Sequence, residues 1–111
     1  MGDLKIVFHV DRADQWPAML SNLETINHDY PSVGVRVVVN GHAIFALLGT
    51  NDLTRALAQI ADAGVQFQIC ADSLSEYRID RRSLPNFAKV VPSGIIAVAK
   101  AQSEGFAYIK P

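Results

Sequence analysis

Among the 111 residues of this chain, the only thiol belongs to Cys70. It closes the apolar run Val65–Cys70 ("VQFQIC") and stands directly before "ADSL", where a short helix is expected to begin. Backbone N–H groups and the positive end of a helix lower a thiol pKa at such a place, and the thiolate is the nucleophilic form. The plainer reading is a buried cysteine acting as a small apolar side chain. With no second Cys, the chain can form no C-x-x-C redox pair, no internal disulfide and no thiolate-rich zinc site.

Other polar groups follow strand-like runs and so join Cys70 as candidate pocket residues. They are His9, the turn Asn40-Gly41-His42, Asp72, and Ser93-Gly94 in "VPSG". A His beside the thiol would tune its protonation. Backbone amides at Asn40-Gly41-His42 could cradle an anion, although a plain strand-to-helix turn has the same sequence. Gly94 lets backbone approach a ligand or neighbour closely. Ser93 lacks the G-x-S-x-G surround of a nucleophile elbow and reads as a helix N-cap. His9, His42 and Cys70 are metal-ligand types, but their separations match no metal motif, so no metal is assigned. No G-x-G-x-x-G or Walker-type loop occurs, and no cofactor is assigned. His28 falls near a helix end and reads as a surface residue. Arg78, Arg81 and Arg82 read as a solvated loop.

These side chains need elements to hold them. Leu4–Val10, Val35–Val39, Val65–Cys70, Phe87–Val91 and Phe106–Ile109 are short runs rich in β-branched and aromatic residues, expected as five strands. Trp16, Met19, Leu20, Leu23, Ile26 and Tyr30 recur at helical spacing, with Asp14 as expected N-cap and Pro17 in the first turn. Ala43–Leu48 is apolar on all sides, expected as a short buried helix. Leu53, Ala56, Leu57 and Ile60 form another helical stripe, with Thr50 or Asn51 as cap and Gly64 as stop. Ser73 and Glu76 have capping-box spacing for a helix just after Cys70. Ser93 caps a last helix carrying Ile95, Ile96, Val98 and Ala99, which ends at Gly105. Strands alternating with helices require crossover connections, hence an α/β fold with a mostly parallel sheet covered on both faces. In such sheets ligands sit outside the carboxyl ends of the strands, which is where every candidate above falls.

Composition narrows the class. The length suits one domain over 1–111. A net charge of -1 lacks the basic stripe of a dedicated nucleic-acid binder. No apolar stretch approaches the roughly 20 residues of a membrane-spanning helix. "MGDLKIVFHV" reads as a strand and not a signal peptide, and Gly2 lacks the context for myristoylation, so a cytoplasmic setting is expected. Only 19% of residues are charged, against a usual level of about 25%, which points to buried subunit surface.

The chain also resembles a known family. "KIVFHVDRADQWPAMLSNLETI", "VRVVVNGHAI", "GVQFQICADSL" and "VVPSGIIAVAKAQSEGFAYIKP" are similar, in order and over nearly the whole length, to small DsrE/DsrF-like proteins. The resemblance implies a three-layer α/β/α fold with a five-stranded, mainly parallel sheet. It implies homo-oligomers, usually trimers or hexamers. It also implies sulfur relay, in which a cysteine takes up sulfane sulfur as a persulfide and passes it on, between donor and acceptor proteins. Cys70 matches the family cysteine. Relatives often carry Asn where this chain has Asp72, and a carboxylate beside a thiol opposes thiolate formation. The rival expectation is a non-catalytic binding or assembly module with a structural Cys70.

Overall fold

The structure, a computed structural model, describes residues 4–111. Gly2 lies outside them. Five strands form one sheet in the order β4-β3-β2-β1-β5, and every neighbouring pair is parallel. They are β1 (Lys5–Val10), β2 (Gly34–Val39), β3 (Gln66–Cys70), β4 (Ala88–Val91) and β5 (Ala107–Ile109). Four helices connect them: α1 (Trp16–Asp29), α2 (Asp52–Asp62), α3 (Ala71–Glu76) and α4 (Gly94–Ser103). The result is the α/β fold expected from the alternation of strands and helices.

The strand order explains the layers. From β1 to β4 the chain steps steadily toward one edge, and right-handed crossovers place the intervening helices on one face. The connection from β4 to β5 runs back across the sheet to the opposite edge, which puts α4 on the other face. Alternation along each strand then sorts the side chains. Phe8, Val10, Val37, Val39, Phe67 and Ile69 meet Met19, Leu23, Ile44, Leu57 and Leu74 in the main core. Val7 and Val38 meet Val98 and Ala101 of α4 in a second, much smaller core.

Local signals placed most elements correctly, and three details differ. Asp14 is not the N-cap of α1. A 3₁₀ turn over Ala13–Gln15 precedes the helix, and the buried Gln15 takes the organising role. Its Oε1 accepts from the Asp11 and Arg12 N–H groups, at 2.9 and 2.8 Å. Its Nε2 donates to the Pro111 carbonyl at 3.1 Å. Segment 43–48 is no α-helix buried all round but part of a 3₁₀ run, Gly41–Leu47, which buries Ala43, Ile44 and Leu47 and turns Phe45 outward. Ser73 does not cap α3, which begins two residues earlier with Cys70 itself at the cap position. Asn51 and Ser93 are caps as expected, accepting from the N–H groups of Thr54 and Ile96. No described helix is long and apolar enough to cross a membrane.

Candidate functional site

Helices leave the carboxyl ends of β3 and β4 toward opposite faces, since Leu74 of α3 joins the main core while α4 covers the other side. That divergence marks the switch point, the usual ligand position in an open parallel sheet. Cys70 ends β3 there, opposite Val91 of β4. The side chain is only 5% exposed.

The sulfur is surrounded by donors. Burial alone raises the pKa of the Cys70 thiol. The nearby backbone N–H groups of Gly94, Ser73 and Asp72 and the Ser73 hydroxyl oppose that by favouring the thiolate, and the net result is a pKa below the ordinary value. Asp72 thus acts on the thiol through its backbone N–H, a contribution opposite in sign to that expected of its carboxylate. Ser73 is doubly engaged, because its Oγ also accepts from the Gly41 N–H at 2.9 Å. Gly41 has a φ of +59°, and a Cβ there would stand 3.0 Å from the Asp11 carbonyl oxygen, so this turn requires glycine.

Gly94 brings α4 down onto the thiol. A Cβ at Gly94 would lie 3.2 Å from Cys70 Cβ and 3.4 Å from both Asn40 Cβ and Val38 Cγ1. Ser93, one residue earlier, caps α4 and fixes where that close approach occurs. Asn40 belongs to a hydrogen-bonded row on the same face of the sheet. His9 Nε2 lies 2.8 Å from Asn40 Oδ1, and His9 Nδ1 lies 3.3 Å from the Tyr108 hydroxyl. A neutral imidazole satisfies both when Nε2–H donates to Asn40 and Nδ1 accepts from Tyr108. The row Tyr108–His9–Asn40 crosses β5, β1 and the end of β2 and stops beside Cys70. Tyr108 had no signal in the sequence, since it faces His9 only through a pairing 99 residues apart.

The structure therefore brings Cys70, Asn40, Gly41, Asp72, Ser93 and Gly94 together at the carboxyl ends of β2, β3 and β4, with His9 linked to them through Asn40. His42 stands apart, its ring packed edge-on against Phe45 and Tyr77 at 5.9 and 5.0 Å between centroids. His28 is exposed and pairs with Asp29. Among the described residues no group of His, Cys, Asp or Glu could hold a metal ion.

The sequence signature of the DsrE/DsrF-like family matches residues 4–111, and the chain belongs to that family. Its fold is similar to that of MTH1491 from Methanobacterium thermoautotrophicum, a protein of unknown function. That similarity has 27% identity and a TM-score of 0.90, over 97% of this chain and 99% of the other. Two further structures share the fold at lower identity. The ychN protein from E. coli is 11% identical with a TM-score of 0.79, over 97% of this chain and 99% of its own. BT1422 from Bacteroides thetaiotaomicron, a conserved protein of unknown function, is 12% identical with a TM-score of 0.74, over 96% of this chain and 94% of its own. No curated protein matches the sequence significantly.

Proposed function

We propose that this protein is a sulfurtransferase-type sulfur carrier of a reducing, cytoplasmic compartment, with Cys70 as the residue that becomes a persulfide. The observation that carries the reading is the position of the chain's single thiol at the carboxyl end of β3 and against the start of α4, where a Cβ at Gly94 would lie 3.2 Å from Cys70 Cβ. There the N–H donors at two helix starts favour the thiolate and hold the thiol pKa below its ordinary value. Such donors stabilise a thiolate, and they stabilise the anionic outer sulfur of a persulfide for the same reason. In the loading step the Cys70 thiolate attacks the outer sulfur of a donor R–S–SH. The donor's S–S bond breaks, R–S⁻ leaves with the bonding pair and takes up the proton, and Cys70–S–S⁻ remains. No net oxidation occurs. With no second Cys in the chain, no internal thiol can expel the sulfur as a disulfide.

The carrier is further proposed to act as a homo-oligomer, a trimer or hexamer, between donor and acceptor proteins. Ile95 on α4 and Tyr108 and Ile109 on edge strand β5 are large, exposed and apolar, which supports a subunit contact there. Light scattering at working concentration checks this, and a monomer contradicts it.

The carrier test is incubation with polysulfide or thiosulfate followed by intact mass. The expected result is gain of sulfur that reductant removes and that Cys70→Ser abolishes. No gain, with Cys70 still open to alkylation, refutes the carrier. The low exposure of Cys70 favours the second reading, a binding module with a structural cysteine. A native thiol that resists alkylation and has an ordinary pKa selects it.

A further inference from the structure

α4 alone covers its face of the sheet, so it leaves a groove of about 390 Å³ between itself and the strand floor toward β4. The floor is built from alternate positions of three strands: Arg36 of β2, Gln68 of β3, and Lys89 and Val91 of β4. Ile96, Ala97 and Lys100 form the α4 wall. The groove ends near the thiol. Gln68 precedes Cys70 by two residues on the same face, a rise of about 7 Å. Val91 is the register partner of Cys70.

Three features define what fits. First, the groove is positive on a chain of net charge -1. Arg36 is engaged by Glu104 at 2.9 Å and stacks on Phe106, whereas Lys89 and Lys100 form no ion pair among the described residues. Second, Gln68 Oε1 is buried on the floor and no described protein donor reaches it. A buried acceptor requires a donor, which sulfate or thiosulfate does not carry and an amide or ammonium N–H does. Third, the volume falls in the range of organic-ligand sites, about 300–1,000 Å³.

We propose that this groove binds a low-molecular-weight, peptide-like thiol. Its carboxylates would meet Lys89 and Lys100, its N–H would meet Gln68 Oε1, and its sulfur would be directed at Cys70. Resting on the carrier reading, the same ligand as a persulfide is the R–S–SH of the loading step, and R–SH is released from the groove.

The test uses reduced glutathione as probe and the Cys70→Ser protein, so that binding is read without sulfur chemistry. Titration calorimetry is expected to show saturable binding that thiosulfate does not displace. The double variant Lys89→Glu/Lys100→Glu weakens it about tenfold or more. Gln68→Leu weakens it about fivefold while raising the melting temperature, because the unpaired buried acceptor is gone. Absence of saturable binding, or binding indifferent to all three substitutions, overturns the proposal. The two readings fail separately. If wild-type protein gains sulfur from polysulfide but the Cys70→Ser protein binds no glutathione, the groove assignment falls and the carrier stands. If glutathione binds as expected but Cys70 takes up no sulfur, the groove stands as a ligand site and the carrier falls.

Discussion

Gly94→Ala tests the contact between α4 and the thiol. The added methyl would meet Cys70 Cβ at 3.2 Å and Asn40 Cβ and Val38 Cγ1 at 3.4 Å. All three atoms sit close to backbone at the ends of β2 and β3, so none swings aside. The start of α4 must lift by a few tenths of an ångström. Overpacking of this kind costs about 1–3 kcal/mol, and the better helix propensity of Ala offsets less than about 1 kcal/mol of it. A net loss of about 1–2 kcal/mol in denaturant unfolding is expected. The same lift draws the Gly94 N–H away from the sulfur. A hydrogen bond to a charged group contributes about 1.5–3 kcal/mol, equivalent to about one to two pKa units if wholly lost. Partial loss predicts a rise of about half to one unit, and about three- to tenfold slower alkylation at a pH below both midpoints. The assay is the pH profile of iodoacetamide alkylation of native protein. The control is Gln102→Ala, which alters an exposed residue of the same helix. A lowered melting temperature with an unmoved alkylation midpoint refutes the argument, because Gly94 would then be a packing residue with no hold on the thiolate.

Ser73→Ala should raise the Cys70 midpoint and also lower stability by about 1–3 kcal/mol, since the Gly41 N–H loses its acceptor; alkylation profiles and denaturant unfolding read the two effects. Gln15→Ala removes three hydrogen bonds of a buried side chain and should cost about 2–4 kcal/mol, with faster hydrogen exchange across residues 107–111. Because folding lowers the Cys70 pKa from its ordinary 9.0, the unfolded chain holds more protons between the two values. Wild-type stability relative to Cys70→Ser should therefore rise with pH across that window and fall as pH drops through the folded value; urea titrations at several pH values check the sign. Asp11 titrates below its usual range, held chiefly by its bond to Lys110. Asp11→Asn should loosen the C-terminal residues, seen as faster exchange there, with a stability loss under about 1 kcal/mol for so exposed a pair.

What the sequence determined by itself was what short-range physics encodes. Short β-branched and aromatic runs marked five strands, the 3.6 period in the apolar residues marked the main helices, and Asn51 and Ser93 announced two helix starts. The count of one cysteine excluded an internal disulfide and a C-x-x-C dithiol pair. Strand ends then placed Cys70, Asn40, Asp72 and Gly94 on one rim, because a parallel sheet presents its carboxyl ends together. Tertiary structure decided everything that depends on which strand lies beside which. Ser73 looked like a cap because its spacing to Glu76 is local, yet its hydroxyl is claimed by the Gly41 N–H, 32 residues away. Asp14 looked like a cap, but Gln15 is drawn inward by a bond to Pro111 across 96 residues. Tyr108 and the orphaned carboxamide of Gln68 carried no signal, since β5 lies beside β1 and α4 leaves the floor near β4 open only because of the strand order. Local propensity is additive along the chain. The donors around one sulfur atom come from two turns on opposite sides of a sheet, and only the folded geometry brings them together.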